Sequence, residues 1–213
     1  GRFNLNDLVK NGKVSPPDVA RFQRLLNAVG MSSDLAQAVV DWIDQDSDVT
    51  FPDGAEDPTY TAMDPPYRAA NQYMVSTSEL MMIKGFDADK YNRLAPFVAA
   101  LPEYTQINVN TAPPEVLMAL VDGLTQDEAK NIADEEKSQG FASMQAFQQR
   151  VGNLTVPADA ASVSSRYFLV WSNTRRGGGP LRLYSLRLGA PNGTVQLITR
   201  SQGIYVHAPK TAH

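Results

Sequence analysis

The residues with the most evident chemistry are seven acids in one short stretch, residues 41–57, which contains no Lys or Arg. They are Asp41, Asp44, Asp46, Asp48, Asp53, Glu56 and Asp57. Asp44, Asp46 and Asp48 alternate with neutral residues, and Glu56 and Asp57 follow a Pro-Asp-Gly turn. Hard cations prefer a dense set of oxygen ligands of this kind. The pattern therefore suggests a calcium site built by this loop.

Spacing alone leaves two interpretations of the loop open. Counted from Asp44, the sixth position is Val49, where an EF-hand loop needs Gly, so the stretch is not an EF-hand. It is either a looser calcium site or a solvated acidic loop. Asn71 and Glu79 offer oxygens to a second site, although helix capping is the simpler role for both.

Catalytic chemistry finds little support in the sequence. The only histidines are His207 and His213, near the end of the chain, and there is no Cys. Catalysis by a Ser-His or Cys-His pair therefore lacks a base, and no Gly-x-Ser-x-Gly elbow occurs. A pair of carboxylates in the acidic loop is the remaining enzyme hypothesis. We expect a protein that is not an enzyme.

The elements that must position the acidic loop are helices. Apolar residues recur at helical spacing over 19–30, where Pro16 and Pro17 mark the start and Gly30 the end. A second helix over 33–44, capped by Ser32 or Ser33, leads directly into the loop, which we place at 44–66. Further helices are predicted at 77–84, 87–100, 114–121, 126–138 and 143–150.

The last third of the chain changes to the period of strands. Residues 165–173, 181–189 and 194–202 are rich in β-branched and aromatic residues and predict an antiparallel sheet. Charge divides at the same place: residues 1–149 hold 22 acids and 11 bases, whereas residues 150–213 hold one acid and eight bases. Arginines such as Arg187 indicate either a solvated sheet face or a face that binds a partner.

Two segments of the helical part are similar to each other. Phe3-Asn4-Leu5-Asn6 matches Ile107-Asn108-Val109-Asn110, and each segment continues with Pro-Pro, a helix, Gly and a second helix. The second segment also resembles the helix-hairpin-helix modules of DNA-binding proteins. Those modules hold phosphate at a helix N-terminus with nearby bases. Here the hairpin is acidic and only Lys130 and Lys137 lie near it, so nucleic-acid binding is the disfavoured alternative.

Several runs of sequence together resemble a known family. GRFNLNDLV opens the chain, DWIDQDSD enters the acidic loop, and YRAANQYMVSTSEL, INVNTAPPEVL and YFLVWS follow in this order. In combination they resemble the K-type minor pseudopilin family of the bacterial type II secretion system. The resemblance implies an α+β fold: a pilin-like antiparallel sheet with a large inserted helical domain, which contains two related SAM-like or helix-hairpin-helix-like repeats.

The resemblance also divides the chain into parts. Residues 1–9 are expected to be the opening strand of the pilin-like part, and 10–155 the inserted helical domain. Within that domain, the repeats span about 3–45 and about 107–150. Residues 160–205 form the C-terminal sheet and 206–213 a tail. Family members carry an N-terminal membrane helix of about 20 apolar residues, so we expect this chain to be a soluble piece that begins beyond that anchor.

The function implied by the resemblance is structural. Such proteins cap the tip of the pseudopilus, which exports folded proteins, on the periplasmic face of the inner membrane. The implied partners are the minor pseudopilins I and J, with pseudopilin H and the major pseudopilin as further candidates, and no nucleic acid. Calcium is associated with the family near the acidic loop. The matching positions here are Asp44, Asp46, Asp48, Glu56 and Asp57.

Overall fold

The computed structural model describes residues 1–138, 140–176, 179–190 and 193–202. The chain forms two compact units, Gly1–Val163 and the residues from Ser164 onward. The predicted tail at 206–213, with both histidines, lies outside the described residues. No helix in the described ranges has the length and apolarity that crossing a membrane requires.

Helices dominate the first unit. They are α1 (Pro16–Ala28), α2 (Leu35–Ile43), α3 (Asp57–Tyr60), α4 (Ala88–Leu94), α5 (Pro114–Leu120), α6 (Gln126–Ser138) and α7 (Met144–Val151). In α1 the two prolines occupy the first turn, where the missing N–H has no intrahelical partner to lose. Phe22, Leu25 and Leu26 are fully buried. This helix follows the predicted pattern because helical periodicity places these apolar side chains on one face.

Pairs of very short strands complete the first unit. They are β1 (Phe3–Asn4), β2 (Val9–Lys10), β3 (Lys13–Val14), β4 (Val98–Ala99), β5 (Ile107–Asn108) and β6 (Ala161–Ser162). Strand β1 pairs with β4 and β5 with β6, both in parallel, whereas β2 and β3 form an antiparallel hairpin. Phe3 also stacks on Phe22 of α1, with ring centroids 5.5 Å apart. The two parallel pairs divide the unit into two halves, residues 3–99 and 107–162, and each pair joins the start of one half to its end.

Three sequence predictions differ from the structure. Residues 1–9, predicted to open the pilin-like part, lie in the first unit because Phe3 is buried there and β1 pairs with β4. The helix predicted at 87–100 ends at Leu94, since Pro96 has no N–H to continue the helical hydrogen bonds, and the chain continues into β4. The helix predicted at 77–84 is a 3-10 helix, Thr77–Met82.

Two asparagines, Asn6, which is buried, and Asn110, which is partly buried, hold corresponding places in the two halves. The Asn6 side-chain amide donates to two backbone carbonyls, one of them that of Met74, and its Oδ1 accepts the Met74 N–H at 2.8 Å. The Asn110 amide donates to two carbonyls, one of them that of Phe141, and its Oδ1 accepts the Phe141 N–H at 2.6 Å. Each asparagine therefore clamps a distant segment onto the start of its half.

The second unit is a three-stranded antiparallel sheet. Its strands are β7 (Tyr167–Arg176), β8 (Gly179–Gly189) and β9 (Val195–Gln202), in that order across the sheet. A bulge at Leu186/Arg187 shifts the register between β8 and β9. The three predicted strands are confirmed, but the predicted boundary at 160 is too early, because β6 pairs with β5 in the first unit.

Candidate metal centre

Two helix ends bring acidic residues of the loop together. Asp44 follows the last residue of α2, and its N–H donates to the Val40 carbonyl at 2.9 Å. Glu56 precedes the first residue of α3 and makes no side-chain capping bond. Asp46 completes the group, and one carboxylate oxygen from each of these three residues lies within 4.8 Å of the other two. The chain between the helices thus folds back on itself to form a cluster of carboxylates.

Asp44 and Glu56 are buried without partners for their charge. Their exposed fractions are 4% and 0%. The Oδ1 atom of Asp44 and both carboxylate oxygens of Glu56 are buried and accept no hydrogen bond. Buried polar atoms are nearly always hydrogen-bonded, because leaving them unpaired costs free energy. A cation bound between these carboxylates would supply the missing partner.

The electrostatics of the cluster agree with this interpretation. Burial, followed by repulsion from Asp46 and Asp41, raises the pKa of Asp44 to about 7. Burial, followed by repulsion from Asp41 and Asp44, raises the pKa of Glu56 to about 7. Without a cation, keeping these carboxylates ionised therefore costs the folded protein free energy, and a nearby positive charge would remove that cost.

Asn71 contributes a further oxygen to this region. Its backbone has φ of +44°, a left-handed conformation that few residues other than Gly and Asn adopt. Its Nδ2 donates to the backbone carbonyl of Asp46 at 2.7 Å, and its Oδ1 is buried without a partner. The sequence offered Asn71 only as a ligand of a second site or a helix cap. Its positive φ and its bond to Asp46 instead place it beside the cluster of acidic residues around Asp46.

The other residues weighed from the sequence have different roles. Asp48 lies outside the group of three, and its N–H donates to Asp46 Oδ1 at 2.9 Å. Asp57 also lies outside it, and its Oδ1 accepts the Ala69 N–H at 3.0 Å. Glu79 belongs to the capping box of the 3-10 helix Thr77–Met82. The structure therefore brings together Asp44, Asp46 and Glu56 from the predicted set of five.

Asp41 stabilises the conformation of the loop by accepting hydrogen bonds from its backbone. It is fully buried in α2, and its carboxylate accepts the backbone N–H groups of Thr50 at 3.1 Å and Ala55 at 2.8 Å. A Cβ atom at Gly54 would collide with this carboxylate and with backbone atoms of Thr50. Sequence reasoning counted Asp41 among the acids but missed this role. The signal available was its place in the last turn of α2, one turn before the loop.

The donor set determines which cation fits. All the atoms offered by the cluster are oxygens: three carboxylates and the Asn71 amide. Oxygen-only sites suit calcium or magnesium, and a cluster that mixes two helix ends with loop residues suits the more permissive geometry of calcium.

Comparison with known proteins places this chain in a family. Models of the type II secretion system protein K match residues 1–103 and 107–164. The Aeromonas hydrophila type II secretion system protein K is 33% identical over 223 residues, which cover 94% of this chain and 67% of that protein. The chain belongs to the type II secretion system protein K family. This confirms the family resemblance of the sequence.

Other members and one solved structure extend the comparison. The protein K of Pseudomonas aeruginosa is 38% identical over 209 residues, and this chain spans 62% of its length. A chain of the crystal structure of the GspK-GspI-GspJ complex from enterotoxigenic Escherichia coli superposes with a TM-score of 0.80 and 25% identity, covering 95% of this chain and 76% of that one. The predicted combination of helical and sheet parts is thus confirmed. The family is a structural component of the secretion machinery.

Proposed function

We propose that this chain is the minor pseudopilin at the tip of the type II secretion pseudopilus, where it joins the I and J pseudopilins to initiate or limit the fibre. The observation that carries the proposal is the match to a chain of the GspK-GspI-GspJ complex over 95% of this sequence. Assembly with pseudopilin H and the major pseudopilin at the base of the tip is part of the same proposal.

Reconstitution tests this function directly. The purified chain mixed with the I and J pseudopilins of the same organism should elute from gel filtration as one complex with 1:1:1 stoichiometry at micromolar concentration. An unrelated pilin of similar size is the control for nonspecific association. Separate elution of the chain and the I–J pair would contradict the proposed function.

The location proposed for the protein follows from its family. The resemblance to the minor pseudopilins supports a position at the periplasmic face of the inner membrane. We place this chain there, with a single N-terminal membrane helix in the full-length protein. Fractionation of cells that express the full-length protein tests this, since the protein should remain in the membrane pellet and be digested by protease added to spheroplasts.

The carboxylate cluster is proposed to hold calcium. Asp44, Asp46 and Glu56 would bind it, with Asn71 Oδ1 as a neutral ligand, whereas Asp48 and Asp57 remain predictions from the sequence. Bound calcium contributes positive charge where two carboxylates are buried without partners. Asp44 lies at the end of α2 and Glu56 at the start of α3, so their binding to one ion would fix the loop at both ends.

Nucleic-acid binding, the alternative function, is opposed by a specific contact. At the start of α6, Glu128 Oε2 accepts the backbone N–H of Thr125 at 3.0 Å and its hydroxyl at 2.6 Å. The helix end that would have to bind phosphate is therefore already occupied by a carboxylate of its own chain. A gel-shift titration at low salt should detect no DNA binding.

The two halves of the first unit are further proposed to be related repeats of the SAM-like or helix-hairpin-helix-like kind. The equivalent hydrogen bonds of Asn6 and Asn110 support this, as do the positive φ values of Gly30 (+71°) and Gly123 (+81°) after α1 and α5. Exchange of the segment 107–125 for its counterpart in the first half should leave a folded protein, which circular dichroism would detect.

A further inference from the structure

One face of the sheet in the second unit combines exposed apolar side chains with arginines. Residues opposite one another on neighbouring strands point to the same face of a sheet. Phe168 lies opposite Arg187, which lies opposite Leu197; the next row runs from Val170 through Ser185 to Arg200. We call Phe168, Val170, Arg187, Leu197 and Arg200 the arginine face. Adjacent strands lie about 5 Å apart, so these side chains form one patch.

The apolar part of the arginine face is open to solvent. Phe168 is 50% exposed, Val170 41% and Leu197 54%. On the opposite face of the same sheet, Tyr184 is 4% exposed and Leu169 38%, so the apolar residues of that face are less open. Single exposed apolar residues are normal, but neighbouring ones that form a patch mark sites of interaction. The arginine face is therefore a surface that a partner would shield from water.

The charge of the second unit is of one sign. From residue 164 onward the sequence has six arginines, one lysine and no Asp or Glu. No carboxylate of this unit can therefore pair with Arg187 or Arg200. Arg187 Nε donates to the Ser185 hydroxyl at 3.3 Å, which is a neutral partner. Arginine binds carboxylates with two parallel hydrogen bonds and is the cation most favoured in protein interfaces.

This composition selects the chemistry of the partner. Arginines beside aromatic and aliphatic side chains are typical of the residues that dominate protein–protein binding. A polyphosphate or an anionic lipid surface would compensate the charge but leave Phe168, Val170 and Leu197 facing polar groups. A protein surface with carboxylates next to apolar side chains satisfies both features at once.

We propose that the arginine face is the surface by which this chain binds the I–J pair, at a site where carboxylates stand beside apolar side chains. This inference rests on the proposed assembly with I and J. The interface would bury the three apolar side chains and pair both arginines. Its association rate would fall as ionic strength rises, because opposite charges steer the encounter.

The experiment compares charge reversal on and off this face. Binding of the purified I–J pair to the immobilised chain is measured by surface plasmon resonance for wild type, the double variant Arg187→Glu/Arg200→Glu and the control Lys13→Glu/Lys130→Glu. The control reverses two exposed bases of the first unit. We expect the Kd of the arginine-face variant to rise at least thirtyfold and the control to stay within threefold of wild type. Phe168→Thr, which retains strand propensity, should raise the Kd about tenfold.

The outcomes separate this inference from the proposed function. Wild type that fails to bind the I–J pair refutes the assembly itself. Wild-type binding with unchanged affinity of both arginine-face variants overturns the inference and leaves the assembly intact. Loss of binding that accompanies a lower melting temperature is resolved by Arg187→Lys/Arg200→Lys, which keeps the charge and should bind within about fivefold of wild type. Binding of wild type to phosphatidylglycerol vesicles or to DNA, abolished in the same charge reversal, would assign the face to those ligands instead.

Discussion

Replacement of Glu56 by Gln should stabilise the calcium-free protein and destabilise the calcium-bound protein, each relative to wild type. The folded-state pKa of Glu56 is about 7, against an ordinary value of 4.5. The folded protein therefore binds more protons than the unfolded chain between these values, and its stability falls as pH rises through that range. At about 1.4 kcal/mol per pKa unit, the ionised side chain costs about 3 kcal/mol at pH 8 without a cation.

The variant removes that penalty and introduces a smaller one. A buried Gln amide without partners costs about 2 kcal/mol, so calcium-free Glu56→Gln should be about 1 kcal/mol more stable than wild type at pH 8. Calcium at 100 times its Kd stabilises wild type by about 2.7 kcal/mol and should hardly affect the variant. Wild type then becomes the more stable protein by about 2 kcal/mol.

Urea unfolding followed by far-ultraviolet circular dichroism measures both conditions, one with chelator and one with millimolar calcium. Asp53→Asn is the matched control, because Asp53 is an exposed acid of the same loop outside the carboxylate group. At pH 5 the advantage of the calcium-free variant should vanish, since Glu56 is then protonated in folded wild type. Equal destabilisation by Glu56→Gln with and without calcium would refute the reasoning, as would a wild type that calcium does not stabilise.

Three further predictions concern the first unit, each measured by urea unfolding in saturating calcium. Burial and repulsion from Asp18 raise the pKa of Asp7 to about 8. The free energy of unfolding of wild type should therefore fall by up to about 1.4 kcal/mol per pH unit between about pH 4 and pH 8. Asp7→Asn should flatten this slope. An unchanged slope in the variant would contradict the raised pKa of Asp7. Asn6→Ala should destabilise by about 3 kcal/mol, because it leaves buried backbone groups unpaired, and a loss below 1 kcal/mol would show that water replaces the amide. Gly54→Ala should cost about 2 kcal/mol and weaken calcium binding, because its Cβ collides with Asp41; unchanged calcium affinity would contradict that role.

Local patterns predicted the regular parts of this fold well. Helices α5, α6 and α7 and the three long strands lie close to where periodicity placed them, because each has a continuous apolar face that sequence spacing records. The pairing of β1 with β4 has no such record. These strands are two residues long, and residues Phe3 and Val98 are brought together only by the packing of everything between them.

The candidate site shows the same division. Composition was enough to single out the acidic loop and to include Asp44, Asp46 and Glu56, the three acids that the structure brings together. Composition could not separate these from Asp57, whose carboxylate accepts the Ala69 N–H. It also could not show that Asn71 Oδ1 is buried without a partner, since that depends on a positive φ and on a turn 25 residues away from Asp46.

The parallel strand pairs affect the order in which the chain can fold from its N-terminus. Strand β1 closes on β4 at Val98, and β5 closes on β6 at Ala161, so the two closures follow one another along the chain without interlocking. A polypeptide delivered from its N-terminus can complete the first closure before the second half has arrived. Domains generally fold in this vectorial order during synthesis, and early completion limits the time that apolar surface is exposed to other chains. This order of closure fits the periplasmic location proposed above, which the chain would reach by crossing the inner membrane in an extended state.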